Sequence, residues 1–221
     1  MKNTIISTIG DFFCPYYCIS CGKVGGILCG CCKKYITSGN NWSCLQCGGL
    51  LRRRVCSTCE LPFREQYYIG ERIDLLKNLI EIYKYQSVRL CAPLFTELLY
   101  DMYGYFAKDR IVSPLPTISK HIRSRGFDHT ARLARSVARR RSGEYNESLV
   151  RKSNTVQVGA SAELRKKQAA LAYTAKNGLK KGSYLLVDDV WTTGSSMKSA
   201  CVELKKVGIQ EIAIVVLAKS E

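Results

Sequence analysis

The sequence predicts an α/β domain built on a parallel sheet and preceded by a small cysteine-rich module, and three observations predict it. Ten of the twelve cysteines fall before residue 60. After them, strand-length apolar runs alternate with amphipathic helical stretches, the pattern of a sheet covered by helices. Near the carboxyl end, residues 185–187 form a continuous apolar run of the kind found in parallel strands buried on both faces. At 221 residues the chain has room for one medium α/β domain and a satellite.

Taken in order, eight of the early cysteines form four Cys-x-x-Cys pairs: Cys18/Cys21, Cys29/Cys32, Cys44/Cys47 and Cys56/Cys59. Two intervening residues let both sulfurs turn toward one tetrahedral ion, and four thiolates close a structural zinc site, so two zinc ions are expected. Gly22 and Gly48 follow the second cysteine of their pairs, where a tight knuckle returns the backbone toward the metal. Sequential pairing is simplest because the loops are short; a cross-braced arrangement stays open, and a disulfide framework is the alternative. Cys14 and Cys31 are left over. The boundary lies near Leu61-Pro62-Phe63, giving a double-knuckle module at 1–62 and an α/β domain at 63–221.

Within that domain, residues 67–69 suit a strand, and Ile73, Leu76, Leu79, Ile80 and Tyr83 mark a helical face. A second helical pattern runs over 93–105, and Ile111-Val112 begins a strand that Pro114 and Pro116 stop. Cys91 and Cys201 sit in helical patterns as small apolar fillers. A helix after His129 places Arg132, Arg135 and Arg139 on one stripe. After the 185–187 strand, Met197, Ala200, Cys201 and Leu204 recur at helical spacing, Gly208 stops that helix, and 212–218 is another apolar strand.

The connection between that strand and that helix carries the chemistry. Asp188 and Asp189 precede a small, hydroxyl-rich turn made of Thr192, Thr193, Gly194, Ser195 and Ser196. A loop meeting a helix amino terminus presents unpaired N–H groups to an anion, the hydroxyls add donors, and the glycine lets backbone approach closely. Two acids beside a phosphate cradle would repel it unless they accept hydrogen bonds from sugar hydroxyls. The bland alternative is a tight turn with no ligand.

Charge points the same way. Lys and Arg number 34 against 18 Asp and Glu, for a formal charge of +16, so phosphate-bearing partners are expected and nucleic acid leads. Between residues 110 and 152 eleven Lys and Arg face three acids. The thirteen tyrosines, including Tyr16/Tyr17 and Tyr67/Tyr68, offer stacking platforms or core packing. Residues 1–13 carry one lysine, a broken apolar run and Asp11, which suits neither a signal peptide nor an anchor, and no stretch approaches the ~20 apolar residues of a membrane span.

The acid pair and turn resemble the ribose-phosphate motif of type I phosphoribosyltransferases, whose ligand is phosphoribosyl pyrophosphate (PRPP). That likeness implies that Asp188 and Asp189 hold the ribose 2′ and 3′ hydroxyls and that 192–196 wraps the 5′-phosphate. With the knuckles, the Pro114-x-Pro116 strand end, Arg123-x-Arg125-Gly126-Phe127, and Gln157 eight residues before Arg165, nearly the whole chain resembles the competence protein F family. The resemblance implies a phosphoribosyltransferase-like domain in a cytoplasmic bacterial protein that handles incoming single-stranded DNA during natural transformation. Its expected partner is an ATP-driven DNA translocase, which would bring it to the inner face of the membrane. It also implies a pyrophosphate loop with Lys120, Arg123 and Arg125, and magnesium arriving with PRPP; no catalytic residue is assigned. Single-stranded DNA would follow the Arg132, Arg135 and Arg139 stripe. The chain departs from the family at Trp191, where a smaller residue is usual, at His121, at Gln168, and at Asp128-His129 in place of Asn-Gln. Asp128 suits a helix N-cap, and His129 is a candidate for proton transfer. The alternative function is a magnesium-dependent phosphoribosyltransferase with an unknown acceptor.

Overall fold

The computed structural model describes residues 16–39, 42–86, 88–140, 143–152 and 172–220. Cys14, Arg141, Gln157, Arg165 and Gln168 lie outside the described residues. Two compact units divide between Gly39 and Asn40. In the smaller, an antiparallel bridge joins Tyr17 to Val24, and helix α1 (Gly30–Thr37) starts directly after Cys29.

The larger unit is an α/β domain. Its elements are β1 (Glu65–Glu71), α2 (Asp74–Tyr85), α3 (Val88–Tyr103), β2 (Arg110–Pro114), α4 (Ser119–Arg125), α5 (His129–Arg140), β3 (Glu144–Tyr145), β4 (Leu149–Arg151), β5 (Tyr173–Ala175), β6 (Ser183–Val187), β7 (Val190–Trp191), α6 (Ser195–Lys206) and β8 (Ile212–Lys219). Among the described residues the main sheet runs β1-β8-β6-β2-β3, with every pairing parallel and β7 also paired to β8. β4 and β5 form a separate antiparallel pair.

Parallel strands need helical crossovers, and the helices bury both faces of the sheet, so β6 and β8 read as unbroken apolar runs. Alternate residues serve opposite faces. Tyr184, Leu186, Ile212, Ile214 and Val216 join Met197, Ala200, Cys201 and Leu204 of α6 in one buried cluster. On the other side α2, α3 and α5 pack against β1, β2 and β8 through Leu79, Ile80, Phe95, Leu98, Leu133 and Val137, all essentially inaccessible to water. Helix α3 begins five residues before the expected 93–105 pattern and takes in Cys91, buried, as is Cys201.

The larger compact unit begins before residue 62, the expected end of the knuckle module. The second knuckle belongs to the larger unit because Leu45 is buried in the same cluster as Phe63 and Trp191. Gln66 of β1, wholly buried, accepts the Leu45 N–H at 2.8 Å through Oε1, and the Tyr68 hydroxyl meets Ser43 Oγ at 2.5 Å. Cysteine spacing shows where a knuckle starts and ends but not which surface it buries.

Candidate functional site

Strand β6 ends at Val187, and Asp188 and Asp189 interrupt it without shifting register: Val187 faces Val215 and Val190 faces Ala218. The interruption lies at the carboxyl end of a central strand, where α/β sheets open their ligand crevices. Trp191 leads into Thr192, Thr193 and Gly194, and α6 begins at Ser195. Gly194 has φ +70°, and a Cβ there would fall 2.1–2.7 Å from three atoms of the Trp191 ring, so only glycine fits, on two independent grounds. The unusual Trp191 is therefore the wall of the turn. Its ring is buried, meets Phe63 edge-on at 6.0 Å and lies under the Lys198 ammonium at 5.9 Å. Thr193 and Ser195 hydroxyls sit 2.8 Å apart, and no side chain caps α6. The turn encloses a small cavity of about 70 Å³, lined by Asp188 and residues 190–197 with Val216.

The two carboxylates are unequal. Burial, and then the negative charge of Asp189, pushes Asp188 well above the usual carboxylate range. Burial acts on Asp189 in the same sense, but the hydrogen bond from His129 and then the Lys84 charge outweigh it and hold that carboxyl well below the range. Asp189 Oδ2 lies 2.6 Å from Lys84 Nζ and 3.0 Å from His129 Nε2. On its other side His129 Nδ1 is 3.1 Å from Arg125 Nη1. Arginine only donates, so Nδ1 accepts and Nε2 carries the proton that His129 donates to Asp189. His129 is 4% exposed and is fixed further by Tyr83, whose hydroxyl donates to its carbonyl. Asp128 acts as the N-cap of α5, its Oδ1 accepting the Ala131 N–H at 3.0 Å and the Thr117 hydroxyl at 3.1 Å.

A cavity of about 260 Å³ opens beside the acid pair and brings His121, Arg125, His129, Arg151, Tyr173 and Ser196 around Asp188 and Asp189. The expected pyrophosphate loop is a seven-residue helix, α4, closed by Gly126 at φ +79°, whose N–H donates to the Ile122 carbonyl at 2.8 Å. Arg125 faces the cavity, stacked on Tyr85 at 5.0 Å; Lys120 and Arg123 are exposed and do not line it. Burial, then the positive charges of Arg125 and Lys120, lowers the His121 imidazole. Lys84 and Arg151 were not legible as site residues, because each meets the site only through tertiary contacts; Arg151 Nη1 donates to the Tyr173 hydroxyl at 2.7 Å.

Arg132, Arg135 and Arg139 share the exposed side of α5 with Arg140 and line a groove of about 560 Å³ against Ala92, Pro93 and Thr96 of α3. Of the tyrosine pairs, Tyr16 and Tyr17 are exposed, whereas Tyr67 and Tyr68 are buried in β1 and are core residues.

Both cysteine sets converge sequentially. The four sulfurs of Cys18, Cys21, Cys29 and Cys32 gather within 4.8 Å of one another, and those of Cys44, Cys47, Cys56 and Cys59 do likewise. Each set fits a tetrahedral zinc ion, and Cys31 is exposed outside both. Gly22 and Gly48 occupy equivalent positions, φ +71° and +74°, donating N–H to the Cys18 and Cys44 carbonyls at 2.9 and 2.8 Å. Burial tends to raise the Cys18 and Cys56 thiols, yet backbone N–H groups aimed at the sulfurs bring them down to about 6 and about 7, whereas in the same sets Cys32 and Cys59, crowded by the other thiols, are pushed up to about 12.

Residues 122–221 match the family described as the phosphoribosyl transferase domain. Over 230 residues the chain is 27% identical to competence protein F of Haemophilus influenzae, with 94% of this chain and 99% of that protein covered. Two solved structures are similar in part. They are the allosteric regulatory enzyme of purine biosynthesis (TM-score 0.44, 16% identity, 62% of this chain) and glutamine PRPP amidotransferase of B. subtilis (0.43, 15%, 62%). The chain spans about 30% of the length of each.

Proposed function

Because the chain is a competence protein F-like protein with a phosphoribosyltransferase fold and amino-terminal cysteine knuckles, we propose that it is a DNA-uptake factor of natural transformation that binds single-stranded DNA and a phosphoribosyl ligand. The observation that carries this reading is helix α5. Its first residue, His129, holds Asp189 of the acid pair, while Arg132, Arg135, Arg139 and Arg140 farther along the same helix line a cationic groove. One rigid element thus serves a sugar-phosphate site and a strand-binding surface. In this reading the hydroxyls and N–H groups of 192–196 take the 5′-phosphate, Asp188 and Asp189 take the ribose hydroxyls, and Lys120, Arg123 and Arg125 attract the pyrophosphate.

Two carboxylates beside a hydroxyl-lined turn fit magnesium brought by PRPP, since that ion binds through one or two carboxylates with substrate phosphates completing its shell. Bound there, it would supply neutralisation of the pyrophosphate charge. The knuckles, over 1–62, would carry two structural zinc ions, and 63–221 the ligand chemistry. Among the described residues no helix is long and apolar enough to cross a membrane. Work in the cytoplasm, reaching the inner face of the membrane through an ATP-driven DNA translocase, is part of the same proposal.

The test is DNA affinity measured against salt. Changing Arg132, Arg135 and Arg139 together to Gln keeps good helix formers and should flatten the slope of log affinity against log salt by about two units, at ~0.7 per phosphate contact on a single strand. Ribose 5-phosphate affinity should stay unchanged. An unaltered slope would leave the stripe a solvated face. It would favour the second reading, a magnesium-dependent phosphoribosyltransferase of unknown acceptor, for which the cavity of about 260 Å³ beside the acid pair offers room.

A further inference from the structure

A second cavity lies on the same side of α5 as the arginine groove. It holds about 370 Å³ and is lined by Pro114, Pro116, Phe127, Ala131, Leu149 and Glu147, together with Gly126 and Asp128, and it shares Arg132 and Arg135 with the groove. The two spaces differ in chemistry. The groove lining contains four arginines, two hydroxyl side chains and no carboxylate, which suits phosphate. The cavity lining contains two carboxylates, which oppose phosphate, and an aromatic ring among apolar walls. Arg132 and Arg135 stand between them, one helical turn apart on α5.

We propose that this cavity receives one unstacked base of a single strand whose phosphates run along the arginine groove. The inference rests on the DNA-binding reading above and gives it a base site. The Arg132 guanidinium stands over the Phe127 ring, 5.7 Å from its centre, so a flat aromatic group entering the cavity meets an aromatic ring and a delocalised cation together. Arg135 is braced on the far side by Glu147 at 3.1 Å and by the Tyr145 ring at 4.8 Å, which holds that wall in place. Every base has a π-face, so the site tolerates any sequence, as a factor that handles arbitrary incoming DNA requires.

Charge and stacking separate cleanly with an oligothymidylate and an abasic oligonucleotide of equal length, measured on the intact protein. The two carry the same phosphates, so binding through phosphate alone gives equal affinities. A base pocket gives an affinity on the order of tenfold weaker for the abasic strand, with the same salt slope. Phe127→Leu keeps an apolar wall but removes the π-face and should bring the ratio of the two affinities close to one. Equal affinities on the wild-type protein would overturn the pocket while leaving DNA binding intact. An undiminished ratio in Phe127→Leu would place the base contacts elsewhere and also overturn it. Failure of both strands to bind would remove the nucleic-acid reading itself.

Discussion

At the residue scale, the acid pair behaves as two different groups, and the difference is measurable. Asp189 is held ionised by Lys84 and His129, whereas burial and its neighbour's charge disfavour ionisation of Asp188. Asp189→Asn leaves the Lys84 ammonium buried without its counter-charge, and a loss of about 3 kcal/mol is expected. Asp188→Asn removes a carboxylate that folding disfavours, so stability at neutral pH should hold or rise. The signs follow from linkage. The folded pKa of Asp189 lies below its unfolded value, so its contribution is present above roughly pH 4 and fades as pH falls through the folded value. The folded pKa of Asp188 lies above, so its contribution is present in acid and is lost as pH rises through the folded value. Urea melts of the two variants from about pH 2 to about pH 8 check this; equal destabilisation by both near neutral pH would refute the asymmetry. The sequence showed the pair but not its partners, because Lys84 and His129 stand 105 and 60 positions away.

At the element scale, the hydroxyl-rich turn at 192–196 depends on a glycine that a ring excludes from change. Gly194→Ala would meet left-handed backbone strain of about 1–2 kcal/mol and then the Trp191 ring. We expect a lowered melting temperature and at least a tenfold loss of ribose 5-phosphate affinity. Combining it with Trp191→Ala should recover part of that loss by emptying the space, and no recovery in calorimetric titrations would show that the ring is not the obstacle. The strand, the turn and α6 were legible because periodicity and turn chemistry are local properties. Helix α4 was not: it is seven residues long, lacks a side-chain cap and ends at a glycine, and its basic composition reads equally well as a loop.

At the scale of the whole molecule, the second knuckle and the hydroxyl-rich turn share one core. Phe63 packs on Trp191, and Lys198 of α6 donates to Gln46 of the knuckle at 2.9 Å. Chelation is therefore expected to release two zinc ions per chain, to weaken ribose 5-phosphate binding, and to shift the emission of Trp191 measured with Trp42 changed to Phe. Protein isolated without chelator that holds no zinc, or keeps full affinity after losing it, would contradict this. The sequence by itself determined the sheet-and-helix class, the identity of the eight metal-type cysteines and the acid-hydroxyl turn, since each is written in spacing along a short stretch of chain. Only the tertiary structure decided that the thiolates pair sequentially and that the second knuckle joins the α/β unit. It alone also brought Lys84, Arg125 and His129 together around Asp189. Those outcomes depend on burial and charge pairing between residues far apart in the chain, and a linear pattern carries no record of which distant surfaces meet.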